Sequence, residues 1–209
     1  MANTLKDFAE MTSAPIEDVA LAIASEFRAV DVAGAHANLD RLAESLGRLG
    51  ERPPEDRAQG LLEGLTDARG LAATTCACPD SLMLDQVLDL GRGHPLALCI
   101  VHVAVARRLG FELHVVGAER VTMVADPGTR PPLLIDPVPG GRRLPQAMSW
   151  LCPHVVGATM LGLLSERYER RGSLAEAIRA AELRRIFPLA AENRSRHDTE
   201  LRSLRARLN

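Results

Sequence analysis

The chain has 209 residues, 46% of them hydrophobic and 25% charged, with a formal net charge of −2. That length suits one large domain or two small ones and buries roughly 70% of the extended-chain surface without a covalent staple. The composition excludes a disordered chain, a collagen and a small disulfide scaffold, and the charge provides no general attraction for nucleic acid or acidic membranes.

Aromatic residues make up only 3%, which disfavours a base-stacking platform and an aromatic-rich sandwich and favours packed helices. Ser13-Ala14-Pro15 opens a first helix, with Glu17 and Asp18 in its first turn. Ile16, Val19, Ala20, Ile23, Ala24 and Phe27 then mark one face at a 3.6-residue period. Leu39, Leu42, Leu46 and Leu49 predict a second helix, broken by Gly50 and Pro53-Pro54. A third helix is predicted over 55–68 and a loop over 70–80. Asp80 or Ser81 caps a short fourth helix to Leu90.

The middle of the chain changes character. After Gly93-His94-Pro95, residues 95–109 are almost wholly apolar and stop at Gly110, which predicts a helix buried on nearly all sides. Strands are expected over 113–116, 121–125 and 133–135, separated by Gly and Pro turns. From Leu144 onward the pattern is helical again. Met160, Leu161, Leu164 and Tyr168 line one helix, Gly172-Ser173 turns the chain, and Leu174, Ile178, Ala181, Leu183 and Ile186 line the next. This hairpin has tetratricopeptide-like spacing. The expected fold class is α+β, divided into a helical part (1–72), a core of one buried helix and a small antiparallel sheet (73–150), and a helical tail (151–209). No apolar run reaches the 18 residues of a membrane span, and Asp7 and Glu10 stand where a signal peptide is basic and apolar, so a cytoplasmic protein is expected.

Several segments together resemble the SirB-type transglutaminase-like proteins. They are Ile16 to Ala24 with Leu39-Asp40-Arg41-Leu42-Ala43, then Ser81 to Leu88, then Gly93-His94-Pro95-Leu96-Ala97-Leu98. Ala106 to Phe111, Leu134-Ile135-Asp136-Pro137 and Gly140 to Leu144 follow in order, and the tail over 160–188 completes the match. The resemblance implies a papain-like fold with a nucleophile at the start of the buried helix, a histidine on the next strands and an Asp after them. In such a triad the helix N-terminus lowers the nucleophile's pKa, the imidazole takes the proton and the carboxylate orients the imidazole. The matching positions here are Ala97, Val121 and Asp136. Two of the three lack the chemistry, and Asp136 is then expected to cap the turn after its strand.

Substitutes were sought among the remaining residues. Cys99 is rotated by about 200° from Ala97 on a helix, with His102 and His114 as possible bases; an active amide hydrolase or acyltransferase using such a relocated thiol is the alternative to a protein that only binds. Cys76-Ala77-Cys78 and Cys152-Pro153-His154 offer thiolates and an imidazole, but a single intervening residue departs from the spacing of zinc sites and of Cys-x-x-Cys redox motifs, so no metal and no cofactor are expected. The reading is a catalytically degenerate, accessory or regulatory protein that binds a protein or small ligand, with no nucleic acid and no membrane. Two binding surfaces are expected. One is the ancestral cleft, with His94, Glu119, Arg120 and Asp136. The other is the tail, where Tyr168, Arg171, Arg184 and Arg185 would dock an acidic partner.

Overall fold

The computed structural model describes residues 4–118, 121–138, 148–188 and 191–207. The fold is α+β, mostly helical with a small antiparallel sheet. The N-terminal helices are α1 (Leu5–Glu10), α2 (Ile16–Ser25), α3 (Val32–Ser45) and α4 (Pro54–Arg69). A short strand β1 (Ala72–Ala73), a 3₁₀ turn (Pro79–Leu82), α5 (Leu84–Leu90) and β2 (Arg92–Gly93) lead into the central helix α6 (Pro95–Arg108). Then come β3 (His114–Ala118), β4 (Val121–Asp126), β5 (Leu133–Ile135) and β6 (Ser149–Trp150). The tail is α7 (Pro153–Arg170), α8 (Leu174–Arg184) and α9 (Ala191–Ala206).

Local chemistry explains most element boundaries. Thr4 and Asp7 close a capping box on α1, with the Thr4 N–H donating to Asp7 Oδ2 at 2.7 Å. Asp31 caps α3 by accepting from the Gly34 N–H at 2.9 Å. Gly91 ends α5 at φ 67°, a left-handed conformation glycine adopts without steric cost, and this turns the chain straight into β2. β2 pairs in parallel with β1, which the sequence reading had as loop.

α6 buries ten of its fourteen residues, among them Ala97, Cys99, Ile100, Ala104 and Ala106. Helices α2, α3, α4 and α5 pack around it, and β3 and β4 close the remaining side. The sheet order is β5-β4-β3-β6, antiparallel throughout. Its inner face carries Val115, Val124 and Ile135 into the main core. Its outer face holds a separate cluster of Val116, Met123 and Ala125, with Val121 and Met148 beside it. The main core runs from Leu5 to Phe187, so the first part of the tail shares it. Among the described residues no helix is long and apolar enough to cross a membrane.

Three expectations need correction. α1 lies ahead of the helix read as first. Ser149–Trp150 is a fourth strand paired to β3, where a helix was expected from Leu144. The segment before α5 is a 3₁₀ turn, and neither Asp80 nor Ser81 caps α5, whose N-cap is Met83 with no side-chain bond.

The burial of α6 makes two predictions. Replacing Ala104, fully enclosed, with Asp is expected to destabilise the fold by about 3–5 kcal/mol, because an unpaired charge would enter the core; thermal denaturation measures it. The second concerns His102, whose Nδ1 bonds the Leu98 carbonyl at 2.8 Å while Nε2 has no partner. Burial pushes its pKa down to about 4. The unfolded chain binds this proton near pH 6.5, well before the folded chain does, so stability is complete above that value and falls as pH drops toward 4. The loss is expected to approach 3 kcal/mol, and His102→Leu is expected to remove that segment of the pH–stability profile.

Candidate functional site

The entrance of α6 is assembled from three chain segments. β2 delivers His94 to the N-cap position, where Nδ1 accepts from the Leu96 N–H at 3.2 Å. The His94 N–H donates to the Ser81 carbonyl at 2.7 Å, which ties the helix start to the 3₁₀ turn. Pro95 occupies the first helical position, where its missing N–H is not needed. Ala97 lies in the first turn and is fully enclosed. The positive end of the α6 dipole therefore points at a methyl-bearing position with no group to activate.

Strand alternation decides what the sheet presents to α6. Val115 pairs with Val124 and Gly117 with Thr122, and these residues share the inner face. Val121 pairs with Ala118 and belongs to the outer cluster with Met123. The sequence expectation that Val121 lines the ancestral cleft is thus corrected: its side chain faces away from α6, and Thr122 is the inner-facing neighbour. Asp136 follows β5, and its Oδ1 accepts from the Val138 N–H at 2.9 Å, the turn-capping bond its position suggested. Glu119 and Arg120 lie outside the described residues.

Cys99 is wholly buried in the main core. His114 is half-exposed on the outer face, edge-on to Trp150 at 5.6 Å and 3.9 Å from Glu112. His102 is held by its own helix. His154 packs against Phe187 and lies 3.3 Å from the Phe8 carbonyl. Among the described residues no three His, Cys, Asp or Glu side chains gather as a metal site requires.

The tail also differs from expectation. Tyr168 stacks on Phe27 at 5.4 Å rather than lining an open concave face. Arg184 pairs with Glu200 and Arg185 with Asp198, each at 3.3 Å. Arg205 pairs with Glu182, and Arg207 with Glu169. Arg184, Arg185, Arg205 and Arg207 thus have acidic partners within the tail itself. Arg171 sits at the C-cap of α7, exposed.

Two polar groupings escaped the sequence reading. Glu17, almost fully buried, receives both Arg107 and Arg108 at the end of α6, with Arg108 Nη1 at 2.9 Å. Arg108 also bonds Asp40 at 2.6 Å and the Ala104 carbonyl at 2.9 Å. The second grouping is Arg167, which reaches from α7 to the loop ahead of α6 and donates to the Cys78 carbonyl at 2.9 Å and to Ser81 Oγ. The signal for the first was the Arg107-Arg108 pair at a helix end beside acids at another helix start. For the second there was none, since one arginine among 24 carries no mark.

Residues 33–154, more than half of the chain, match the transglutaminase-like superfamily. The chain belongs to that superfamily. No curated protein and no solved structure matches it.

Arg167→Leu is expected to cost about 1–3 kcal/mol, since the Cys78 carbonyl and Ser81 hydroxyl lose a buried partner. Arg167→Lys is expected to recover only part, because an ammonium does not reproduce the planar fork. Urea denaturation of both variants checks the ranking.

Proposed function

We propose that this protein is a SirB-type, catalytically degenerate member of the superfamily, cytoplasmic, which acts by binding a protein or small ligand. The observation that carries this reading is Ala97 at the nucleophile position of the central helix, enclosed and without a heteroatom. The second support is the missing histidine. Val121 faces outward and its inner-facing neighbour is Thr122, so neither side of β4 at that point supplies an imidazole. Asp136 retains a turn-capping role that needs no histidine. The binding surface is assigned to the entrance of α6, on the side of His94 and Asp136, with the tail around Arg171, Arg184 and Arg185 as the second candidate.

The test is an acyl-transfer panel of activated esters and glutamine amides. The native chain is expected to turn over no faster than a heat-denatured control, and Ala97→Cys is expected to gain nothing, because a thiol without a base is not a triad. An acyl-enzyme on the native chain, or full activity in Ala97→Cys, overturns the reading.

A further inference from the structure

Cys76 and Cys78 stand apart from the site just described. They lie between β1 and the 3₁₀ turn, and Cys76 is exposed while Cys78 is partly so. The Cys78 N–H donates to Cys76 Sγ at 3.2 Å, and the two thiols hydrogen-bond to each other. The chain therefore curls around the first sulfur and brings the second to it. The N–H···S hydrogen bond sets the Cys78 backbone directly against the Cys76 sulfur. Cys78 is held in place from behind. Its carbonyl accepts from Ser81 Oγ at 2.8 Å and from Arg167 at 2.9 Å.

We propose that Cys76 and Cys78 form a thiol–disulfide exchange site whose co-substrate is the disulfide of a low-molecular-weight thiol. In the first step the Cys76 thiolate attacks one sulfur of that disulfide, forming a mixed disulfide and releasing one small thiolate. In the second, Cys78 loses its proton to solvent and attacks Cys76 Sγ, closing the Cys76–Cys78 bond and expelling the second small thiolate. Two protein thiols are oxidised and one small disulfide is reduced to two thiols.

The division of labour follows from the surroundings. Hydrogen bonds from the Cys78 thiol and backbone N–H, aided by the charges of Arg171 and Arg167, hold the Cys76 thiol below its ordinary pKa. Burial and the hydrogen bond to Cys76 push Cys78 up. An exposed, readily ionised thiol beside a more protonated one is the pairing of attacking and resolving cysteines. The other two cysteines lack it: Cys99 is buried and Cys152 is exposed in a different segment. Ser81, which accepts the His94 N–H and bonds the Cys78 carbonyl, joins this loop to the entrance of α6.

The experiment treats the full chain with oxidised glutathione at pH 7 and maps adducts by mass spectrometry after alkylation. The native chain is expected to lose two hydrogens across the Cys76–Cys78 peptide, with little lasting adduct. Cys78→Ser is expected to accumulate a glutathione adduct on Cys76, about tenfold faster or more than the adduct on Cys152. Cys76→Ser is expected to lose both products while Cys152→Ser keeps them, and circular dichroism checks that each variant is folded. An adduct on Cys76 no faster than on Cys152, or no intramolecular disulfide in the native chain, overturns the proposal. Neither result depends on acyl transfer, so the proposed function stands or falls separately.

Discussion

The burial of one helix organises everything else. α6 is apolar on every side through Ala106, and a helix of that kind is stable only when other elements cover its whole circumference. Four helices and two strands do so. Its only ionised residues are Arg107 and Arg108 in the last turn, where the negative end of the helix dipole favours them. They are also where the helix is fastened. Glu17 is nearly inaccessible, and a lone buried carboxylate there would carry a desolvation penalty of several kcal/mol. Two guanidinium groups offset it, and Arg108 extends the clamp to Asp40. The clamp fixes the angle at which α2 and α3 lie on the central helix.

The same burial bears on the first turn of the helix. The first turn of α6 is packed as tightly as the rest, so an alanine at position 97 fills a core site and contributes to stability by its methyl alone. Strand parity reinforces this. A residue two positions along β4 keeps its face, while a residue one position along changes it. The inner-facing positions on this stretch, Gly117 and Thr122, are small, which lets the sheet lie close against its surroundings; a Cβ on Gly117 would come within 2.9 Å of Leu151. Nearby, His94 caps α6 and Asp136 caps the turn after β5.

Much of this architecture was legible in the sequence. The apolar run over 95–106, interrupted by His102 alone, marked α6, the Gly and Pro breaks delimited β3, β4 and β5, and Gly172-Ser173 separated α7 from α8. The features that escaped are short or relational. α1 has six residues, and β6, β1 and β2 have two each, too few for a periodic pattern to rise above composition. The facing of Val121 depended on a register that composition cannot specify. The pairing of Arg184 with Glu200 and of Arg185 with Asp198 depended on how α9 returns along α8. A charge surplus counted along the chain says nothing about whether its members face solvent or one another.

The tail shows the same point from the other direction. Its sequence reads as an appendage with its own repeat-like spacing, yet Met160, Leu161 and Leu164 belong to the main core, and Gly157 sits where an added Cβ would meet Phe187 at 2.7 Å and Val19 at 3.0 Å. At Gly157, α7 is therefore packed tightly against Val19 of α2 and against Phe187, and a chain cut within it would expose the core. From that fixed position Arg167 reaches the Cys78 carbonyl and Ser81, and Ser81 in turn holds the start of α6. A hydrogen-bonded path thus runs from the tail through the cysteine loop to the helix entrance. Any change in the backbone at Cys78 therefore meets α7 at one end and the start of α6 at the other.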